Sequence, residues 1–474
     1  MRASSLIRPM WMRRVLIGLA TLFCLVLIIG LDYLPAGIAW TALAGAALVV
    51  GLVLGVTGIY LWQHQRDIWE TDRLLVLWSL VAIGTLGLAQ VFGAPRFSNY
   101  LAPAPAGAML LSILLRPRPA LFSSAAFAVL VGLAAEQQFP TVVIVFIGGL
   151  VGVFACRRVH HRSDFGAAGL LVGASSAIAA LATGLLEGLR IYPAIATNAA
   201  YAFGSGLLAA VVTVGVLPFL EQFFGLITPI KLLELASPAH PLLRRLQLEA
   251  PGTYHHSLMV ANMAEAAAEA VGADALLARV GTYYHDIGKL RRPAFFVENQ
   301  GGIDNPHDKM TPSLSALTVS AHVRDGMDLA REYGLPQPVA DFIPQHHGTA
   351  LLTYFYHQAL ERGDPLDEFA FRYEGPKPQT SEAAVVMLAD AAEAAVRSLN
   401  RPTPDRLEDA VRRIIRDKLE DGQLDECGLT FRDLGRIAAA FVRILAGVLH
   451  PRLEYPDLEG ELARRRRDRP AKAR

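Results

Sequence analysis

An all-α protein in two parts, a polytopic bundle of membrane helices followed by an all-helical soluble domain, is the fold class this sequence predicts. Three observations lead there. Apolar stretches of spanning length follow one another up to residue 220. Most acidic residues lie after that point, although charged residues are only 18% of the 474. From 255 to 450 apolar side chains recur at helical spacing, and no alternating run or hairpin turn stands out. The length exceeds one ordinary domain.

A span needs about 20 apolar residues to cross ~30 Å of hydrocarbon. Eight stretches meet or approach this: 14–34, 38–62, 74–94, 97–115, 119–135, 139–156, 165–186 and 197–220. The first has a basic start at Arg13 and Arg14, but its apolar core is long and no small-residue cleavage site follows, so it reads as an uncleaved anchor. Arg116-Pro-Arg-Pro119 separates the fourth and fifth. Pro103 and Pro105 in the fourth read either as packing kinks or as a helix broken around a site. Trp40 and Trp62 sit near the two ends of the second, as interfacial anchors do.

Loop charge orients the bundle. With the N-terminus inside, the inner segments carry Arg2, Arg8, Arg13, Arg14, Arg66, Arg73, Arg116, Arg118, Arg157, Arg158 and Arg162, and the outer loops carry Arg96 and Arg190. Eleven against two places both ends in the cytoplasm of a cell bounded by this plasma (inner) membrane. The spans hold few ionisable residues, which argues against an ion or proton pathway.

The expected organisation is an anchor at 1–35, a seven-helix membrane domain at 36–222, a linker at 223–250, a soluble domain at 251–452 and a basic tail at 453–474. The linker is amphipathic, with Leu232, Leu233, Leu235, Leu242, Leu243, Leu246 and Leu248 interrupted by Pro238 and Pro241. It reads equally as packing and as a rod that transmits helix movement. The stretch 298–312 reads as a long loop, and loops of that length are functional or disordered. Arg464-Arg-Arg-Arg467 reads as a solvated end that could touch anionic lipid. A net charge of +1 gives no reason to expect a nucleic-acid polymer as partner. The cysteines, Cys24, Cys156 and Cys427, suggest neither a disulfide framework nor a zinc ribbon.

The chemistry-bearing residues concentrate in the soluble half. His285-Asp286 lies in Gly281-Thr-Tyr-Tyr-His-Asp-Ile-Gly-Lys289, with His255-His256 upstream and His322, His346-His347 and Asp390 downstream. Any one histidine is more often structural than a ligand, but six of the ten histidines in this half fall in or beside short motifs with acidic partners. Imidazole and carboxylate bind divalent cations, which lower the pKa of a shared water and clamp a phosphate. With no cysteine in the set, iron or manganese suits it better than a structural zinc. Two six-coordinate metals leave positions open beyond the protein side chains. Lys289, at i+4 from His285, could hold a phosphate or make a surface ion pair.

His256-Ser-Leu-Met-Val260 followed by His285-Asp286 resembles the HD-domain phosphohydrolases. The longer strings narrow the resemblance: His240-Pro-Leu-Leu-Arg-Arg245, Glu249-Ala-Pro-Gly-Thr-Tyr-His-His-Ser257, Tyr284-His-Asp-Ile-Gly-Lys289, Glu298-Asn-Gln300, Asn305-Pro-His-Asp-Lys309, Gln345-His-His-Gly-Thr349, Phe371-Arg-Tyr-Glu-Gly-Pro-Lys-Pro378 and Met387-Leu-Ala-Asp390. With the multi-span bundle in front, these look like the seven-transmembrane HD family of cyclic-di-AMP phosphodiesterases, over residues 36–450. The resemblance implies a two-metal site of His256, His285, Asp286, His322, His346, His347 and Asp390, with Asp286 bridging. It implies Asp286 and Lys289 as catalytic residues and Lys289, His307 and Arg372 as substrate contacts. Its partners would be a cyclic dinucleotide and the bilayer, with a homo-oligomer left open.

Two departures stand out. Family members usually carry a large external domain after the first span, where this chain has only Asp32-Tyr-Leu-Pro-Ala36. Ser381 also stands where a basic residue is expected. The implied reaction is hydrolysis of cyclic di-AMP to the linear 5′-phosphorylated dinucleotide. Cyclic di-GMP or another nucleotide is the alternative substrate, lowered because no Gly-Tyr-Pro motif follows the His-Asp pair. A receptor or transporter that uses the soluble domain only for regulation is the third reading.

Overall fold

The computed structural model describes residues 3–31, 40–93, 98–135, 138–157, 159, 161–187, 192–302, 304–363, 367–399 and 403–448, with no side chains before residue 11. The 32–36 connection, Arg2, Arg96, Glu136, Arg158, Arg190 and the 464–467 run lie outside the described residues. The chain forms two compact units, Met1–Ser237 and Pro238–Arg474, divided within the stretch read as a linker.

The first unit runs α1 (Ala3–Gly30), α2 (Trp40–His64), α3 (Arg66–Glu70), α4 (Asp72–Gly93), α5 (Pro105–Leu114), α6 (Pro117–Ala134), α7 (Phe139–Cys156), α8 (Asp164–Leu186), α9 (Tyr192–Phe224) and α10 (Pro229–Leu235). Among the described residues, seven helices are long and apolar enough to cross a membrane. Their outward faces carry exposed Phe23, Leu48, Leu186 and Phe219. Such a surface is stable only against lipid or a partner. Small residues let helices approach closely: a Cβ at Gly206 would lie 2.1 Å from the Gly173 backbone nitrogen, so α8 and α9 pack backbone to backbone.

The fourth expected span differs from the expectation. Of the stretch 97–115, the described residues 98–115 form not one long helix but a 3-10 turn, Asn99–Leu101, then α5 of only 10 residues. Ten residues rise about 15 Å, half of the hydrocarbon thickness. Pro103 and Pro105 provide the break, since neither can donate a backbone hydrogen bond. The interruption survives because α5 is buried inside the bundle and Ser205 Oγ donates to the Ala102 carbonyl at 2.6 Å. The segment still returns the chain to the end where α1 begins. Arg116, just after α5, pairs with Asp67 in α3 at 3.5 Å, and Arg14 of α1 donates to the Glu70 carbonyl at the same end.

The second unit runs α11 (Pro241–Glu249), α12 (Pro251–Val271), α13 (Ala275–Tyr284), α14 (Pro312–Glu332), α15 (Gln337–Ala340), α16 (Phe342–Gln345), α17 (Thr353–Arg362), α18 (Ser381–Arg397), α19 (Pro404–Glu420) and α20 (Phe431–Val448). Among the described residues there is no strand, only one antiparallel bridge between Leu351 and Arg372. α12 is central, packed on α13, α18 and α20. Val260, Met263, Ala264 and Ala267 of α12 meet Val385, Val386 and Leu388 of α18 and Ile437 and Phe441 of α20 in one core. The loop 298–312 contains two short 3-10 turns, Val297–Asn299 and Pro306–Lys309.

Candidate metal centre

Each functional side chain stands where a helix meets a neighbour. His256 lies in the second turn of α12, buried, while adjacent His255 points to solvent. His285 and Asp286 follow the last residue of α13, where the chain turns into the 3-10 segment Ile287–Arg291. Gly288 permits that turn to press on α14: a Cβ there would lie 1.8 Å from the His322 carbonyl oxygen. His346 and His347 follow α16, and Asp390 lies on α18.

The seven residues converge as two groups, Asp286 with His322, His346 and His347, and His256 with His285 and Asp390; within each, the candidate ligand atoms lie within 4.8 Å of one another. Asp286 faces both. Its Oδ2 is 3.3 Å from His285 Nε2 and 3.8 Å from His256 Nε2, and its Oδ1 is 3.5 Å from His322 Nε2 and 3.7 Å from His346 Nε2. Asp390 is split the same way, with Oδ1 3.0 Å from His256 Nε2 and Oδ2 3.9 Å from His347 Nδ1.

The backbone sets the tautomers. The Nδ1–H groups of His285, His322 and His346 donate to the carbonyls of Thr282, Val319 and Ile343 at 2.6, 2.7 and 2.7 Å. His256 Nδ1 donates to Glu393 at 2.9 Å. This turns each Nε2 inward. The Nε2 atoms of His285, His322 and His346, and Asp286 Oδ1, are buried without a hydrogen-bond partner. Orphaned acceptors of this kind carry a desolvation penalty, and a cation among them removes it. The donor set therefore fits two divalent ions.

The electrostatics favour the same occupant. Burial opposes the charge on Asp286, but the Lys289 ammonium and the His285 ring hold its carboxyl well below the usual range. Burial likewise opposes charge on Asp390, yet the hydrogen bond from His256, with the His285 ring close by, keeps it ionised. Burial, with His285 alongside, pushes His346 down to about 3, and burial with His346 and His322 alongside drives His347 well below its ordinary value. Burial lowers His322 too, against the pull of Asp286. His285 and His256 are raised instead: burial is outweighed by Asp286 for the first, to about 10, and by Asp390 and Glu393 for the second. These two protons are the ones a bound cation must displace.

Lys289 reaches the site, with its ammonium 2.7 Å from Asp286 Oδ2 and 2.9 Å from Glu298 Oε1, over the Phe296 ring. It is a buried ion pair rather than a surface one. His307 and Arg372 are not among the grouped ligand atoms. His307 Nε2 donates to the Phe295 carbonyl at 2.9 Å, and Arg372 bonds the Thr349 carbonyl, Glu368 and Asp421. Ser381 opens α18 and donates to the Cys427 carbonyl at 3.2 Å.

Several contributors were not singled out from the sequence. Glu393, one turn beyond Asp390 on α18, holds His256 and is itself held by Arg397; an acid at i+3 from an expected ligand was the available signal. Glu298 ties Lys289 to Thr253 on α12, accepting from the Thr253 hydroxyl at 3.1 Å. Tyr373 stacks on His347 with ring centroids 4.2 Å apart. It is placed there by backbone pairing across the Leu351–Arg372 bridge, which no local pattern announces.

Residues 40–228 match the family described as "7TM receptor with intracellular HD hydrolase", and residues 253–395 match the HD domain. The cyclic-di-AMP phosphodiesterase PgpH of Bacillus subtilis (strain 168) is 41% identical over 427 residues, covering 88% of this chain and 60% of that protein. Its namesake from Listeria monocytogenes serotype 1/2a (strain 10403S) is 40% identical over 423 residues, covering 87% and 59%. The chain thus spans about 60% of the length of these curated relatives. The crystal structure of the L. monocytogenes PgpH HD domain in complex with cyclic-di-AMP is 47% identical, covering 45% of this chain and 99% of that one, with a TM-score of 0.44.

Proposed function

From the premise that this chain belongs to the seven-transmembrane family with an intracellular HD hydrolase, we propose that it is a membrane-anchored, metal-dependent phosphodiesterase that hydrolyses cyclic di-AMP to linear 5′-pApA. The observation that carries this reading is Asp286, whose two oxygens face two separate groups of imidazoles. That is the arrangement a bridging carboxylate needs. The substrate is suggested by the relatives that bear the name cyclic-di-AMP phosphodiesterase.

His322, His346 and His347 would hold one ion and His256, His285 and Asp390 the other, with Asp286 between them. Nitrogen and oxygen ligands without a thiolate favour manganese or iron; Cys427 is turned away to the Leu424 carbonyl. When bound, such ions supply Lewis acidity at a phosphodiester and lower the pKa of a water. Lys289 keeps Asp286 anionic and oriented, and two of its three N–H groups are engaged by Asp286 and Glu298. The third can meet a phosphate oxygen. Glu393 fixes the ring of His256, and His307 and Arg372 contact the substrate beyond the ions. The excess of arginines in the loops counted as inner supports an HD unit on the cytoplasmic side of the plasma membrane, where the nucleotide is made.

The test is turnover of a cyclic-dinucleotide panel by the purified chain after chelation and reloading with manganese or iron. Activity is expected on cyclic di-AMP, lost on chelation, restored by metal and abolished in Asp286→Ala with helical circular dichroism retained. A chain that binds about two ions yet turns over no cyclic dinucleotide would sink the enzyme reading; preferential cleavage of cyclic di-GMP would change the substrate alone.

A further inference from the structure

At the end of the membrane bundle where α1 begins, a half-open cleft of about 70 Å³ opens among α1, α2, α3 and α4. That is room for roughly five waters, about the size of a phosphate group. Arg14 and Trp69 lie at that end, and Thr21 and Ser79 lie two helical turns deeper, bonded to each other at 2.8 Å. Between them the walls are mostly apolar. Gly18 lines the space without filling it, since a Cβ there would meet nothing within 4 Å.

Arg14 is out of place for an arginine at a membrane interface, where the side chain ordinarily extends its charge into water. Its side chain is 9% exposed, whereas that of adjacent Arg13 is 71% exposed. The guanidinium lies 5.8 Å from the Trp69 centroid, and Nη2 donates to the Glu70 carbonyl at 3.3 Å. Its Nε is buried with no hydrogen-bond partner. The carboxylate oxygen it faces, Asp72 Oδ1, is 3.9 Å away, too far for a hydrogen bond, and also lacks one. Arg13 approaches the same carboxylate at 3.9 Å, so two cations share one anion and positive charge is left over. A buried, incompletely paired cation at one end of an apolar cleft is complementary to an amphiphile with an anionic head.

We propose that this cleft binds the phosphate headgroup of a membrane phospholipid, with the phosphate on Arg14 and the first acyl methylenes along the open side at Gly18. The site is separate from the metal centre and needs nothing from the phosphodiesterase reading. It lets lipid composition bear directly on α1, α2 and α4.

The experiment titrates the full chain, purified in a non-ionic detergent, with dioctanoyl phosphatidylglycerol, and in parallel with glycerol 3-phosphate and inorganic phosphate, following tryptophan fluorescence from Trp69 and Trp78. Saturable binding of the lipid is expected, with no comparable response to either free phosphate. R14Q should weaken binding by about tenfold or more, the loss of one charged hydrogen bond. R13Q, whose side chain stays in water, should weaken binding clearly less than R14Q, and G18F, which fills the cleft, should abolish it. Equal losses in R13Q and R14Q would mean diffuse surface charge and would overturn the proposal. Wild-type binding in G18F, or free phosphate binding as tightly as the lipid, would do the same. Should G18F fail to fold by its thermal transition, the R13Q and R14Q pair decides.

Discussion

At the scale of single residues, chemistry follows from which atom of a side chain is left unpaired. His255 and His256 are neighbours, yet one is exposed and the other donates Nδ1–H to Glu393 and turns Nε2 to Asp390. Adjacent helical residues point about 100° apart, so both cannot serve one ion. His256→Ala is therefore expected to abolish metal-dependent turnover and His255→Ala to leave it near wild type; equal, complete losses would show the register to be wrong. Glu393 acts through His256 without reaching an ion. Glu393→Ala should weaken metal affinity by about 10–100-fold, the usual effect of removing a partner of a ligating histidine. Excess metal should rescue its turnover, a response a merely unfolded variant would not give. The ligand types were legible in the sequence because they sit in short strings. Glu393 was not, because its role depends on a ring 137 positions away.

At the scale of elements, close approach decides where helices can carry ligands. Gly288 allows the turn after α13 to lie against α14, which brings Asp286 to His322. Gly288→Ala would set a methyl against a backbone oxygen that cannot rotate away. Destabilisation of about 1–3 kcal/mol is expected from overpacking, read as a lowered denaturation midpoint together with loss of one ion by metal analysis. A variant as stable and as fully loaded as wild type would refute that account. The fourth membrane segment teaches the complementary lesson. Its apolar content matches a full span, but hydropathy cannot distinguish a lipid-facing helix from a short one buried among others with an irregular entry. Pro103 and Pro105 were the legible hint. Ser205, which satisfies the freed Ala102 carbonyl, is 103 residues away and was not.

At the scale of the whole molecule, the order of membrane helices sets the side on which the HD unit emerges. Although one segment is too short to span as a helix, Arg116 and Arg14 both bind the α3 region at one end of the bundle, so the fourth segment still counts as a traverse. A reporter fused at the C-terminus is expected to behave as cytoplasmic, and one inserted at Glu136 as external. An external C-terminal reporter would make the number of traverses odd and leave the proposed phosphodiesterase without access to its substrate.

By itself the sequence determined the properties that local composition controls: helical periodicity, the division between apolar and charged halves, the kinds of ligand, and the strings that carry the family resemblance. These depend on residues within a few turns of one another, where period and hydropathy are physically sufficient. Only the tertiary structure decided which nitrogen of each histidine faces inward, that Asp286 divides its oxygens between two groups, that the fourth segment is broken and buried, and that Arg14 closes a small cleft. Each of these rests on distances between segments far apart in the chain, which packing sets and no local pattern records.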